Sequence, residues 1–451
     1  MKQRKTEKDL SRGPIGKTMV SFAMPMILGN LLQQVYNITD TMIVGRFVGA
    51  DALAAVGSAY TLMTFLTSVI VGLCMGAGAF FSTLYGAGEK RRMKESMWVS
   101  FWFIAAVTLL LFGMVFWKTD WILHTLQVPE EIYGMMRTYV RIIFTGLGFL
   151  FLYNYFAYLL RAVGNSLIPL YFLAAASLLN ILLDLWFVIG RNRGVGGAAE
   201  ATVIAQAVSG VGIAIYTIKA VPELRVSMNE RRFSKKTLGN MARYSLLTCI
   251  QQSVMNFGIL MIQGLVNSFG TIIMAAFAAA VKIDTLAYMP AQEFGNAFSM
   301  FIAQNYGAGE KKRIHQGIRT AVRISISFCL VISLVIFLFA GPLMEIFVDR
   351  GETEIIREGI RYLRIEGSFY WGIGCLFLLY GLYRGIGHPG MSLVLTVISL
   401  GSRVVLSYAL APRPEFGVTA IWWSIPIGWM LADFAGFVYD KKGNLQWTGE
   451  K

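Results

Sequence analysis

The sequence predicts an all-α integral membrane protein with twelve transmembrane helices in two six-helix lobes, related by a pseudo-two-fold axis along the membrane normal. Composition, the number of apolar runs and an internal repeat carry that expectation. Of 451 residues, 56% are hydrophobic and only 15% charged, against roughly 25% charged in soluble domains. So little polar surface cannot coat several domains in water. Twelve runs approach the ~20 apolar residues a crossing needs. They lie near 18–45, 52–80, 96–117, 133–159, 168–190, 195–218, 242–268, 271–303, 318–340, 360–382, 390–411 and 416–438. The repeat is explicit. Tyr85-Gly-Ala-Gly-Glu-Lys-Arg-Arg92 returns in the second half of the chain as Tyr306-Gly-Ala-Gly-Glu-Lys-Lys-Arg313. At almost the same offset, Gln33-Gln34 returns as Gln251-Gln252, and Arg161-Ala-Val-Gly164 as Arg384-Gly-Ile-Gly387. Six crossings per repeat is an even number, so both halves share one orientation, the parallel-repeat plan of many secondary transporters.

Pro25, Pro290 and Pro426 fall inside spans, where the missing N–H and the ring predict kinks. Gly72-Leu-Cys-Met-Gly76 in span two predicts close helix packing. The Gly-Ala-Gly-Glu-Lys segments lack phosphate-loop spacing and are expected to turn helix ends at the cytoplasmic surface. Between the halves, residues 221–238 hold Pro222 and a basic run, which divides the chain into an N-lobe (1–220), a cytoplasmic linker (221–238) and a C-lobe (239–451). The net charge is +14. Its clusters fall before residue 18, at 90–94, at Arg161, at 219–243, at 311–323, at Arg384 and at the C-terminus. These are alternate loops, as the positive-inside rule requires. That pattern predicts a multi-pass cell-membrane protein with both termini cytoplasmic, in contact with the bilayer and not with nucleic acid. The basic N-terminus has no small-residue cleavage signal, so no removable signal peptide is expected.

Cys74, Cys249, Cys329 and Cys375 each stand alone, and His124, His315 and His388 are equally scattered. Neither a disulfide framework nor a zinc site is indicated. No nucleophile–base constellation is legible either, so an enzyme and a cofactor are not expected.

Acidic residues inside the spans carry the functional signal. An acid at a helix centre costs roughly 2.5–3.5 kcal/mol on insertion scales and marks function by default. Asp40 lies six residues before Arg46, Asp184 seven before Arg191, and Thr202 eight after Gly194. At 1.5 Å per residue all three sit about 9–12 Å below the outer ends of their helices. Asn180, four residues before Asp184, shares its face. Two carboxylates, an amide carbonyl and a hydroxyl suit Na⁺, and two close, desolvated acids could equally hold a proton. The alternative is a pair of acids kept for packing. The second repeat does not duplicate the set: Asp40 maps to Gly258, Asn180 to Arg403 and Asp184 to Ser407. Its own polar intrusions are Gln251, Gln252, Asn256, Lys282, Asp284 and Glu293, read as substrate-cavity lining or as structural pairing. Lys282 and Asp284, two apart, cannot face one another on a straight helix. Glu366, near Arg361 and Arg364, reads as an interfacial ion pair.

The run from Met24-Pro25-Met26-Ile27 through Gln33, Tyr36 and Asp40 to Gly45-Arg46 resembles the first helix of multidrug and toxic compound extrusion (MATE) transporters. So do Tyr85-Gly-Ala-Gly88 with its echo at Tyr306–Gly309, and Arg161-Ala-Val-Gly164. The resemblance spans essentially the whole chain. It implies two lobes around a central cavity, and export of bulky, often cationic amphipathic compounds in exchange for Na⁺ or H⁺. It carries a first-lobe cation site onto Asp40, Asn180, Asp184 and Thr202. Gln33, Tyr36 and Asn37 would line the neighbouring cavity, with Gln34 and Asn154. Some members instead place acids in helices seven and ten; here the candidates in span seven are the amides Gln251, Gln252 and Asn256, and span ten lacks a mid-helix acid, which argues against a second-lobe cation site. The expected molecule is a monomer that needs no cofactor beyond its coupling ion. The rival reading is a flippase for lipid-linked precursors.

Overall fold

The computed structural model describes residues 9–126 and 128–440. The basic residues before position 9 and after position 440 lie outside it. In order, the helices are α1 (Ile15–Phe47), α2 (Ala50–Gly86), α3 (Lys90–Thr125), α4 (Glu130–Thr145), α5 (Leu147–Ala162), α6 (Leu167–Asp184) and α7 (Gly194–Ala220). After the linker come α8 (Lys235–Asn267), α9 (Thr271–Gly307), α10 (Lys311–Met344), α11 (Thr353–Gly367), α12 (Tyr370–Gly385), α13 (Pro389–Leu410) and α14 (Gly417–Tyr439). No strand occurs among the described residues. Among the described residues ten helices are singly long and apolar enough to cross a membrane, and the number is up to twelve when each of two bent pairs, α4–α5 and α11–α12, is taken as one span.

Helical structure continues through Pro25, Pro290 and Pro426. Two pairs of successive helices are bent at a break, by 43° between α4 and α5 and by 51° between α11 and α12. Each break occurs where the ladder tightens to three-residue bonds, Gly146 N–H to Ile143 O and Phe369 N–H to Glu366 O. Gly146 has a packing reason, because a Cβ there would sit 2.4 Å from Gln206 Oε1 of α7. Neighbouring helices can re-satisfy a proline-freed carbonyl, so proline alone need not break a buried membrane helix.

The two repeat motifs fold alike. Gly88 and Gly309 take φ of 71° and 73°. Each lies in a cap where the next residue's N–H returns to the carbonyl of Leu84 or Asn305. Gly164 and Gly387, at φ 85° and 87°, end α5 and α12 in the same manner. These left-handed positions suit glycine, and the segments turn helices as expected.

The described residues divide into two compact units: residues 28–249 with Asp9, and residues 10–27 with 250–440. The division differs from the expected 1–220, 221–238 and 239–451, because the first half of α1 belongs to the second unit and the first half of α8 to the first. Local contacts supply the reason. In the second unit, Leu10 N–H donates to Gln304 Oε1 at 3.1 Å. The Arg313 guanidinium donates to the carbonyls of Leu10, Arg12 and Gly13. In the first unit, a Cβ at Gly72 would lie 2.6 Å from Cys249 Cα, and one at Gly76 2.4 Å from Tyr244 O. The small-residue seam thus receives the backbone of α8. The linker is held to the same unit by Lys94–Glu230 (3.3 Å) and Lys90–Glu223 (3.7 Å).

Candidate functional site

Within the first unit, α6 presents Ser177, Asn180 and Asp184 at intervals of three and four, one stripe of a helix. All three are buried, Asp184 completely. The α-helix ends at Asp184, and residues 185–190 continue as a π-helical turn, a widening often found at functional sites. It closes with Arg193 N–H bonded to Phe187 O and Asn192 at φ 52°. From α7, Thr202 Oγ1 accepts from Asn180 Nδ2 at 3.3 Å, which turns the Asn180 carbonyl oxygen away from Thr202. From α1, Asp40, 8% exposed, faces Asp184 closely enough for a proton on either carboxyl to be shared. Tyr36, one turn before Asp40, and Tyr139 of α4 lie within electrostatic reach of both acids.

The hydrogen-bond balance decides what this cluster is built for. Asp40 Oδ1, Asn180 Oδ1 and both Asp184 oxygens are buried without a hydrogen-bond partner, as is Ser177 Oγ. Leaving a buried acceptor unpaired costs about 1–3 kcal/mol, and more for a charged group. Four buried acceptor oxygens on neighbouring side chains, none with a donor, fit a hard monovalent cation or protons. Among the described residues no basic side chain acts on Asp40 or Asp184.

The other expected residues divide. Gln33 is exposed, while Gln34, Tyr36, Asn37 and Asn154 are half-buried. The Asn154 amide donates to Leu150 O of its own helix at 2.9 Å. In the second unit Gln251, Gln252, Gln292, Asn296, Tyr380 and Arg384 line a small polar pocket, which Glu293 joins by accepting from Asn296 Nδ2 at 3.2 Å. Asn256 is half-buried. Lys282 is exposed, its ammonium 5.9 Å from the Phe347 ring centre. Asp284 points the other way and is buried, so α9 separates the two as their spacing dictates.

Glu366 is not an interfacial ion pair. It is 3% exposed and interacts with Asp284 and Tyr362. Arg361 pairs instead with Glu358 at 3.8 Å, and Arg364 stands over Phe337. The signal was the α11 stripe Gly359, Tyr362, Leu363 and Glu366, all buried, which places the acid on the apolar face. Sequence reasoning also missed Tyr139, Ser177 and Asp433. The last is a buried α14 acid with both oxygens unpartnered.

The MatE family model matches the chain twice, over residues 25–186 and 246–409. The chain belongs to the MatE family. The starts of the two matches, positions 25 and 246, are separated by the same interval as Tyr85 and Tyr306, and each match stops short of the last helix of its half, α7 or α14. Along 98% of both chains this MatE protein is 30% identical to the "Probable multidrug resistance protein YpnP" of Bacillus subtilis. It is 26% identical to the "Probable multidrug resistance protein NorM" of Thermotoga maritima, over 93% of this chain and 89% of that one. Among solved structures, the outward-facing conformation of a multidrug resistance MATE family transporter of the MOP superfamily superposes with a TM-score of 0.93. The identity is 23%, over 99% of this chain and all of the other. A MOP superfamily transporter from Pyrococcus furiosus, described as having a binding pocket of reverse polarity, gives 0.91 at 23% identity over 98% of each chain. MATE proteins are transporters and not enzymes, and this chain is a multi-pass membrane transporter.

Proposed function

We propose that this MatE protein is a secondary antiporter of the cell membrane that exports amphipathic, often cationic organic compounds in exchange for Na⁺ or H⁺. The observation that carries the reading is the set of four buried, unpartnered oxygens on Asp40, Asn180 and Asp184. A cation gives these oxygens the positive partner the chain withholds. Its arrival changes a doubly acidic pocket toward neutrality, and so supplies the differential binding energy a conformational exchange requires. In this reading Thr202 positions the Asn180 carbonyl, and Tyr36 and Tyr139 wall the pocket. Export of drugs is drawn from the multidrug names of the relatives. The protein works as a monomer with both termini cytoplasmic, and Gln33, Gln34, Asn37 and Asn154 border the substrate path in the first unit, as Gln252, Asn256 and Glu293 do in the second.

The test is flux of a lipophilic cationic dye in proteoliposomes under separately imposed Na⁺ and pH gradients. Dye movement is expected to follow one gradient, and to be lost in Asp40→Asn and Asp184→Asn while both variants insert normally. Undiminished gradient-driven efflux by the inserted double variant overturns the reading. Dependence on a lipid-linked precursor in place of the dye would identify a flippase.

A further inference from the structure

α3 carries its own measure of the bilayer. Trp98 and Trp102 stand near its start, and Trp117 and Trp121 near its end. The two pairs are centred on positions 100 and 119, about 28 Å apart at 1.5 Å per residue, which matches the ~30 Å of a hydrocarbon core. Between them Leu109, Leu110 and Met114 are exposed, as a lipid-facing stripe must be. Tryptophan collects at the two membrane–water interfaces. Trp117 and Trp121, 84% and 65% exposed, therefore mark the headgroup layer on the face opposite the Gly88 turn, from which α3 starts.

At that level polar side chains one helical turn apart zip α3 to α4. The rings of His124 and Tyr133 are 5.3 Å apart, and the Tyr133 hydroxyl donates to Asp120 Oδ1 at 3.1 Å. Arg137 holds Asp120 with both prongs of its fork, Nε to Oδ1 and Nη2 to Oδ2, the latter at 3.0 Å. Arg141, one turn further along α4, comes only to 3.7 Å from the same carboxylate, too far for a hydrogen bond. Its Cζ stands 5.9 Å from the Phe116 ring centre. One carboxylate thus faces two guanidiniums, and the cluster keeps a net charge of +1. Glu130 and Glu131, in the first turn of α4, form no ion pair with either arginine. Arg141 Nε is buried without a hydrogen-bond partner. The side chain is still 39% exposed, so its terminal nitrogens are the donors that the surroundings can reach. A guanidinium fork matches the paired oxygens of a phosphate.

We propose that Arg141, with Arg137 beside it, binds the phosphodiester of an anionic phospholipid in the leaflet opposite the Gly88 turn. The phosphate supplies the acceptor oxygens that Arg141 lacks, while Arg137, already held by Asp120, adds its charge. A cluster of net charge +1 is neutralised by a headgroup of net charge −1, which an anionic lipid carries and a zwitterionic one does not. Leu110, Met114, Trp117 and Trp121, spaced by four, three and four, form one stripe of α3 along which the acyl chains lie. The inference does not depend on the ion site proposed above.

The experiment places the purified full-length protein in nanodiscs of phosphatidylglycerol or of phosphatidylcholine and follows amide hydrogen exchange at the facing ends of α3 and α4. Phosphatidylglycerol is expected to slow exchange there roughly ten-fold, the size of one charge-assisted hydrogen bond. Native mass spectrometry then counts the phosphatidylglycerol retained in detergent. Arg141→Gln is expected to hold about one lipid fewer per chain and to lose the protection. Lys118→Gln makes the same charge change on an exposed side chain, two residues from Asp120 and so on another side of α3, and is expected to lose neither. Equal exchange of the unaltered protein in the two lipids overturns the proposal, whether or not the Arg141 variant folds. So does an unchanged lipid count in folded Arg141→Gln, or an equal loss in Lys118→Gln, which reduces the effect to surface charge. Inorganic phosphate added to phosphatidylcholine nanodiscs is expected to give no protection, and protection by it alone overturns the assignment to lipid.

Discussion

Replacing Asp184 by Asn separates an ion site from a structural acid pair, because the two predict opposite signs. Both Asp184 oxygens are buried and unpartnered, and the neighbouring Asp40 Oδ1 also lacks a donor. Asparagine removes the buried charge and supplies an N–H that Asp40 can accept. The ion-free protein should therefore become more stable, by about 1–3 kcal/mol, the usual size of a relieved buried polar group. The ion loses one charged ligand, worth about 1.5–3 kcal/mol, or roughly 10- to 150-fold in affinity at 1.4 kcal/mol per decade. Melting of the detergent-solubilised protein against NaCl concentration and against pH reads both effects. Ligand binding to the folded state raises the melting temperature as the logarithm of ligand over dissociation constant. The variant should start higher and climb later, with its midpoint shifted by that factor. A variant that melts lower without ion and keeps the original ion midpoint would refute the reasoning, because it describes an acid held only for packing.

Other perturbations test the scaffold. Gly76→Leu drives a side chain into the Tyr244 carbonyl, where even a Cβ would stand at 2.4 Å. Backbone cannot give way cheaply, so a loss of about 1–3 kcal/mol is expected, read as a lower melting temperature and poor expression. Arg313→Ala removes the donors to Leu10, Arg12 and Gly13. Losing about 1.5 kcal/mol of charge-assisted bonding should speed tryptic cleavage after Arg12 roughly ten-fold, measured by mass spectrometry. In the linker, burial acts to raise Glu230, but bonds from Ser227 and the Lys94 ammonium outweigh it and hold its carboxyl below the usual range. That contribution is present above the ordinary carboxylate pKa and is lost as pH falls through the lowered value. Proteolysis of residues 221–234 should therefore accelerate at acid pH, and Glu230→Gln should remove the pH dependence.

Several features were legible in the sequence because they are local or periodic. Apolar run length fixes the crossings, since a bilayer demands about 20 apolar residues whatever the neighbours do. Gly88 and Gly309 announce their turns because only glycine adopts positive φ without strain. Asp40, Asn180, Asp184 and Thr202 could be singled out because polar groups at matched depth in apolar helices are costly, and depth follows from counting residues. The two bends and the unit boundaries were decided by tertiary structure. Gly146, at the first bend, leaves room for Gln206 where a Cβ would stand at 2.4 Å, while helical structure continues through Pro25. The first half of α8 joins the first unit because Gly72 and Gly76 leave room for its backbone. Glu366 faces Asp284 and not the nearby arginines, because its stripe of α11 is buried and theirs is not. Sequence records what each helix cannot tolerate in lipid. Which partner satisfies a buried charge depends on which helices meet, and only packing sets that.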